Sequence, residues 1–520
     1  FFSEAGLIHL LVVSGAQISL LSMVVLSICK LFRAPFILSF FVILILQGFY
    51  LIIAGVDPSI LRAIVMTDLI LWHRYYSLIA FPFWWYLWVA AIIVICIIPK
   101  AVLFPGFWYS FTITFGLLYL LPKIVGNVFG PKKVINYILA SFTAVFFALP
   151  IQLIQTQTIQ PMSLISNLWA TWLSSLILLS SAVVMIIEPI VPYITDIISS
   201  VVIMMIDVLI VLSKNIKPWI IAIPKPLNLC FSLVFILPLV MINFSRFKYF
   251  FLLITILFFM YSVHLIQKRQ MLISLDVGQG DATLILDGFS SVLIDTGGLG
   301  QSQAMARTHI LPVLRYYGIN ELDLVIITHH DLDHLGGLKD IIGYGVRQIY
   351  SPESLPYNHH LTLTSPLGLD LNSMKLNLFP VGYILPKLNS NNHGIVVSVD
   401  ALRASFLITG DIDQETELRL IQVGFIDQHT FLKLGHHGSI SSTSSELLDV
   451  VQPLFVWNSC GFNNRFGHPN PAVIDRLNYR NIPFLSTHES GAIFFDLNSK
   501  VMIRSALSND SFKLKQGVGL

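Results

Sequence analysis

Runs of about twenty apolar residues, the length that crosses roughly 30 Å of hydrocarbon, follow one another from the start of the chain to Lys268-Arg269 and then stop. A soluble core does not call for such stretches in series, so this half must meet lipid. The runs lie near 12–32, 36–54, 78–99, 102–122, 134–155, 162–187, 190–212, 228–244 and 249–266, and a shorter apolar piece, 59–73, spans or re-enters. Nine or ten crossings are expected, with breaks at Pro58, Pro122, Pro161, Pro189, Pro218 and Pro226. Composition agrees, since 55% of the 520 residues are hydrophobic and only 12% are charged.

Charge divides at nearly the same place. Up to residue 270, 15 Lys/Arg stand against 6 Asp/Glu, a net of +9; beyond it 16 stand against 23, a net of −7. Screening over about 8 Å at physiological salt makes these local signs matter more than the total. Cys29, Cys96, Cys230 and Cys460 offer neither a disulfide framework nor a CxxC site. The chain opens on Phe1-Phe2-Ser3-Glu4, with no Met and no basic stretch, and reads as a fragment of a longer protein.

Beyond Arg269 the apolar residues come in short alternations between Gly-, Asp- and Asn-rich turns, the texture of a soluble domain. The expected division is a polytopic helical domain, 1–267, and a soluble domain, 268–520. Segments 291–294, 324–327, 395–398 and 405–408 read as buried strands that deliver polar residues at their C-terminal ends. The densest cluster is His329-His330-Asp331-Leu332-Asp333-His334-Leu335-Gly336-Gly337, directly after one of them. A tight loop there can turn His329, Asp331, Asp333 and His334 toward one point, while the two glycines let the backbone pass close by. Strand ends at Gly410-Asp411 and at Gly435-His436-His437-Gly438-Ser439 repeat the pattern.

This order of motifs resembles the metallo-β-lactamase superfamily. The resemblance implies an α/β sandwich with helices outside two sheets (αββα) and two divalent ions bridged by Asp411. His436 is the expected last histidine ligand, and His437 the alternative or a substrate contact. Asp331 stands where that superfamily usually has a second histidine, and a carboxylate there makes the site harder, favouring manganese, with zinc as the alternative. The usual intermediate histidine is not evident; His359, His360 and His393 are the candidates, His393 foremost. Two ions roughly 3.5–4 Å apart acidify a shared water and stabilise a phosphoryl or acyl oxygen, so no Ser or Cys nucleophile is required. Asp333 and His468 are the expected catalytic residues, His468 by binding phosphate or protonating a leaving oxygen. Ser439, Ser441, Ser442 and Asn464 are expected on the substrate side, Asp281 near the mouth, and Asp295 as scaffold to the metal loops.

In the membrane half, Gly6 to Gln17 is apolar except at His9, Ser14 and Gln17, and polar groups at such depth are costly unless they face protein or water. Asp57-Pro58 reads as a helix start with Asp57 as N-cap, which puts Arg62 one turn inside an apolar helix. Both motifs, and a later one at Leu149-Pro150 and 161–167, resemble the competence DNA-internalisation channel family (ComEC type), with Gln17 where that family's first motif ends in His. The resemblance implies a multi-pass protein of the bacterial cytoplasmic membrane that passes single-stranded DNA inward, with a nuclease acting on duplex or single-stranded DNA. Its implied partners are lipids, a DNA receptor and a cytoplasmic helicase or ATPase motor, since the chain has no Walker loop of its own. The Lys/Arg balance over ten crossings, eight against six, puts the soluble domain outside the cytoplasm. Two other readings stand beside this one: a membrane-anchored phosphoesterase without transport, which the acidic soluble half favours but polar membrane motifs such as His9 and Arg62 disfavour, and a translocator with an inactive hydrolase fold, which the complete ligand set disfavours.

Overall fold

Proline sets where many helices of the first half begin. In the computed structural model, α1 (Gly15–Leu31) is followed by α2 (Phe36–Ala54) after Pro35, α3 (Pro58–Tyr76), α4 (Phe83–Ile97) after Pro82, and α5 (Pro105–Phe115). Proline lacks the N–H that a first turn leaves unpaired, and its φ is preset for the helix. Then come α6 (Leu121–Val125), α7 (Lys132–Thr156), α8 (Met162–Ile187), α9 (Pro192–Asn215) and α10 (Lys248–Gln267). The structure describes residues 15–76, 81–125, 132–189, 191–215, 220–224, 227, 232, 248–298, 305–384, 393–498, 501–507 and 511–513. It forms two compact units, divided between Thr255 and Ile256.

Among the described residues, four helical segments are long and apolar enough to cross a membrane: Phe36–Ala54, Ile135–Thr156, Met162–Met185 and Pro192–Asn215. Gln17–Leu31, Phe83–Ile97 and Leu252–Gln267 are apolar but shorter. The run expected over 228–244 falls almost wholly outside the described residues. The run expected over 102–122 is a 3-10 turn at Pro99–Leu103 followed by one continuous helical stretch, in which α5 and α6 join through a π-helical turn at Gly116–Leu120. At Gly116 the Phe147 ring occupies the space a Cβ would need. The short piece 59–73, expected to span or re-enter, lies within α3, an unbroken helix of 19 residues whose Arg62, Asp68 and Arg74 dilute its apolar signal.

Arg62 and Asp68 have partners on neighbouring helices. Gln47 of α2 donates to Asp68 at 3.0 Å and to Ser22 of α1 at 3.4 Å, and the Tyr50 hydroxyl donates to Gln17 at 3.0 Å. A Cβ on Gly15 would overlap the Ser59 carbonyl, so α1 meets α3 closely at that point. The opposite surfaces are apolar and exposed, as at Ile52 and Ile53, which suits lipid contact. Two short strands, β1 (Thr158–Ile159) and β2 (Ile221–Ala222), pair antiparallel.

After the end of α10, the second unit continues with β3 (Gln270–Ser274), β4 (Thr283–Asp287), β5 (Ser290–Ile294), β6 (Leu322–Ile326), β7 (Val346–Ser351) and β8 (His360–Thr362). A second sheet follows: β9 (Leu367–Asp370), β10 (Lys375–Pro380), β11 (Ile395–Ala401), β12 (Ala404–Ile408), β13 (Phe431–Lys433), β14 (Phe455–Asn458) and β15 (Phe484–Ser486). The chain then returns to the first sheet as β16 (Ile493–Asp496), β17 (Met502–Ser505) and β18 (Ser511–Lys513). The spatial orders are β18-β17-β16-β3-β4-β5-β6-β7-β8 and β15-β14-β13-β12-β11-β10-β9.

Period-two alternation builds the layers. Val292, Ile294, Leu324 and Ile326 point between the sheets to meet Phe406, Ile408, Phe431 and Trp457. Leu293 and Val325 point outward to helical residues such as Ile310, Leu314 and Ile341. Leu407 and Leu432 do the same on the far side against Leu420, Leu448 and Leu477. The result is the expected helix–sheet–sheet–helix sandwich. Pairs β5–β6, β12–β13 and β13–β14 are parallel, so their carboxyl ends share an edge, where ligands of α/β sheets collect. Gly337 lets the chain behind that edge close up, because a Cβ there would overlap the Thr296 carbonyl and press on Ala306. Gly337→Val is therefore expected to destabilise the second unit by about 1–3 kcal/mol, measured as a lower denaturant midpoint at unchanged m-value.

Candidate metal centre

The loop after β6 leaves its strand at Thr328, a residue tied in two ways to the loop after β5. Its amide donates to Asp295 Oδ1 at 2.7 Å and its hydroxyl to Asp295 Oδ2 at 2.8 Å. The same carboxylate takes His334 Nδ1 at 2.8 Å, and the Thr296 amide and hydroxyl hold the His334 carbonyl at 2.7 and 2.9 Å. Asp295 thereby fixes the ring so that its Nε2 faces the site, the usual arrangement behind a metal-binding imidazole. His437 is fixed likewise, with Nδ1 donating to the Ser459 carbonyl at 2.9 Å.

Asp411, at the end of β12, stands amid four imidazoles. Its Oδ1 is 3.4 Å from His334 Nε2, and its Oδ2 is 3.7 Å from His329 Nε2, 3.7 Å from His436 Nε2 and 3.8 Å from His437 Nε2. Most of these separations are too long for hydrogen bonds. They suit ligand atoms that share an ion. Among the described residues, two groups bring their ligand atoms within 4.8 Å: Asp281, His334, Asp411 and His437; and His329, Asp333 and His334. Together they offer ligand atoms for one or two divalent ions.

Of the expected ligands, His329, Asp333, His334 and Asp411 fall in these groups. His437 takes the place in the four-residue group that was expected of His436. Both residues have left-handed backbones, φ 49° and 55°, and the double turn brings both rings to Asp411 and buries only His437. Asp331 lies outside both groups, half-exposed at the rim, 3.7 Å from His329 Nε2. His468 lies beside the cluster, its ring 5.9 Å from that of His436 and 6.3 Å from that of His437. The Asn464 amide is taken up by its own loop, donating to the Gly461 and His468 carbonyls and accepting from the His468 amide. Ser439 bonds Ser441 at 3.0 Å, and Ser441 reaches His436 Nδ1 at 3.4 Å. His360 bonds Ser351, and His359, His360 and His393 belong to neither group. In the first unit, Asp57 caps α3 by accepting from the Ser59 amide at 2.7 Å, and the buried side of Arg62 donates to Ser110 at 2.6 Å. His9 and Ser14 lie outside the described residues.

Lys433 escaped the sequence reading, and Asp281 lies deeper than expected. Asp281, expected at the mouth, is buried inside the centre, where it accepts from Lys433 at 2.5 Å. Lys433 is among the largest fully buried side chains. Strand parity carries its signal: Phe431 points between the sheets, so Lys433, two residues on, does too.

The profile described as "Competence protein" matches residues 1–244, and that described as "Metallo-beta-lactamase superfamily" matches 275–454. Competence protein ComA of Neisseria gonorrhoeae is 32% identical over 43% of this chain and 31% of its own length. ComE operon protein 3 of Bacillus subtilis is 27% identical over 48% of this chain and 35% of its own. The chain thus spans about a third of the length of the curated relatives it matches. Among solved structures, the metallo-beta-lactamase fold protein YhfI from Bacillus subtilis covers 44% of this chain and 100% of its own at 13% identity and a TM-score of 0.33. The chain joins a competence-family region to a metallo-β-lactamase-fold region, an order that matches ComEC-type architecture.

The metallo-β-lactamase-fold half has the donor set a divalent ion needs. His329 Nε2, His334 Nε2, Asp411 Oδ1 and Asp281 Oδ1 are buried without a hydrogen-bond partner, a costly arrangement unless something else satisfies them. Electrostatics point the same way. Burial opposes charge on Asp281 and Asp411, yet Lys433 and His437 hold the first, and His334 and His437 the second, well below the usual carboxylate range. Burial also opposes charge on His334 and His437, but facing carboxylates push His334 well above its usual value and His437 to about 10. Burial and the neighbouring His334 push His329 down. With its pKa at about 10, His437 holds both ring protons at pH 7, and an ion must displace one of them. Cation binding is expected to release protons near neutral pH and to tighten as pH rises, checked by calorimetry in buffers of different ionisation enthalpy. Asp295→Asn should weaken Mn²⁺ binding by roughly 10–100-fold in the same titration.

Proposed function

We propose that this protein passes one strand of DNA across the bacterial cytoplasmic membrane during natural transformation, while its metal centre hydrolyses the phosphodiester backbone of the strand left outside. The observation that carries the hydrolytic part is Asp411 amid four imidazole nitrogens at the carboxyl ends of the strands, in a chain whose other half matches a competence family. Two Mn²⁺ ions held by His329, Asp331, Asp333, His334, Asp411 and a histidine of the 436–437 pair acidify water and neutralise phosphoryl charge when bound. Asp281 and Lys433 keep the inner wall of the centre charge-balanced. His468, whose pKa burial and the neighbouring His437 lower, is neutral at pH 7 and donates one N–H to a phosphate oxygen. Asp333 accepts from His437 at 3.2 Å and orients that ring.

In the membrane, Arg62 on α3, Asp57 at its cap and Gln17 on α1 supply polar contacts along the DNA path, with His9 and Ser14 upstream. A DNA receptor delivers the duplex and a cytoplasmic helicase or ATPase draws in the strand. The hydrolase region lies outside the cytoplasm, because a nuclease that spares the imported strand must meet DNA before the pore. The −7 charge beyond residue 270 favours a second reading, an anchored phosphoesterase of small substrates, since a phosphate-gripping surface is expected to be basic.

Asp411→Ala is expected to reduce Mn²⁺-dependent DNA cleavage by the purified protein at least 1,000-fold, roughly the loss of about 4 kcal/mol of transition-state stabilisation, with its far-ultraviolet dichroism intact. Undiminished cleavage would remove the site. Arg62→Ala is expected to block DNA uptake by cells while leaving cleavage by the purified protein intact; normal uptake would make Arg62 an interfacial anchor, and hydrolysis of small phosphodiesters alone would favour the second reading. Protease added to spheroplasts should remove the hydrolase region while a cytoplasmic control survives, and full protection of that region would reverse the topology.

A further inference from the structure

The loop that carries His468 presents apolar rings to solvent. Phe462 is 83% exposed and Phe466 53%, with Arg465 between them in sequence and its guanidinium 4.9 Å from the centre of the Phe466 ring. A single exposed phenylalanine is unremarkable on a soluble surface, but this loop is held in place. The Asn464 amide clamps it through three hydrogen bonds of 2.7–3.0 Å. The Gly461 amide donates to Gln279 at 3.1 Å, and a Cβ on Gly461 would press on the Gln279 backbone. The rings are thus presented on a fixed support.

They also lead to the metal centre. Phe466 stacks on His468 at 5.7 Å and 24°, and His468 stacks on His437 at 6.3 Å and 23°. Two other loops that bring residues to the centre carry exposed apolar side chains of their own, Leu332 between Asp331 and Asp333, and Ile440 after Ser439. A polar, metal-binding floor with an apolar and aromatic rim suits a ligand that has flat apolar faces joined by phosphates. Bases of a duplex keep their faces stacked on one another, whereas unpaired bases offer theirs to aromatic rings and to guanidinium planes.

We propose that loop 461–468 is a base-stacking platform that positions an unpaired nucleic-acid strand at the metal centre, with Phe462 and Phe466 taking base faces and Arg465 the adjoining phosphate. This rests on the phosphodiester reading above and adds residues that choose the substrate. Because the platform recognises bases, its action is separable from hydrolysis. The whole protein in detergent, with EDTA present to stop cleavage, is titrated with a fluorescent single-stranded oligonucleotide, an abasic strand of the same length and a blunt duplex.

The single strand is expected to bind at least roughly tenfold tighter than the abasic strand, equivalent to about 1.4 kcal/mol, and tighter than the duplex. In F462A/F466A that preference should vanish. Arg465→Ala should reduce the salt dependence of single-strand binding by roughly 0.7 in log–log slope. Truncation at such exposed positions spares the fold, and unchanged thermal unfolding confirms it. Equal binding of the intact and abasic strands by the unaltered protein, or a preference that persists in F462A/F466A, overturns the platform, as does a loop that binds lipid vesicles in place of single strands. Failure of the Mn²⁺-loaded protein to cleave any DNA, with the base preference intact, would instead count against the hydrolytic reading alone.

Discussion

Everything at the edge of the sandwich depends on one buried carboxylate. Asp411 is 5% exposed, yet its two oxygens face four imidazole nitrogens at 3.4–3.8 Å. A carboxylate in such a place is costly without a compensating positive charge, and protons on neighbouring histidines are the weaker of the two ways to supply it. The surrounding structure keeps the site from relaxing. Asp295 and Thr328 lock His334 from behind, Ser459 locks His437, and Lys433 neutralises Asp281 on the inner wall. A centre braced this firmly offers its donors to a divalent ion with little rearrangement, the condition that preorganised catalysis sets.

The fold supplies that bracing through strand direction. Because β5 and β6 run parallel in one sheet and β12, β13 and β14 in the other, their outgoing loops meet at a common edge. Ligands from both sheets then face each other across the end of one apolar core, and Phe406, Phe431 and Trp457 behind them exclude water. The same loops carry the exposed rings of Phe462 and Phe466, so the selection of substrate and its chemistry share a scaffold. The membrane unit shows a parallel economy on α3, where Arg62 and Asp68 find partners in Ser110 and Gln47.

Much of this was legible in the sequence where the information is local. His329, Asp333 and His334 sit within six residues, and a strand that ends in such a cluster leaves few alternatives. The long apolar helices were likewise readable as unbroken runs. What was not legible depends on contacts far apart in the chain or on backbone detail. Asp281 and Lys433 are 152 residues apart, and nothing near Asp281 announces its partner. The order of burial of His436 and His437 turns on two consecutive left-handed residues. The start of α3 was legible at Asp57-Pro58, but its full length was not, because Arg62, Asp68 and Arg74 lower its apolar character, while the Gln47 that answers Asp68 lies on another helix. Lys433 was recoverable from the alternation of β13, which makes it a failure of reading more than of information.

The claim that joins the two halves is that hydrolysis at Asp411 disposes of the strand that is not imported. It is tested most directly by giving competent cells duplex DNA labelled differently on each strand and following both. The account predicts that one label enters as an intact strand while the other appears outside the cells as short products, and that Asp411→Ala abolishes those products. Products that persist undiminished in Asp411→Ala cells, or that form inside the cytoplasm, would contradict it.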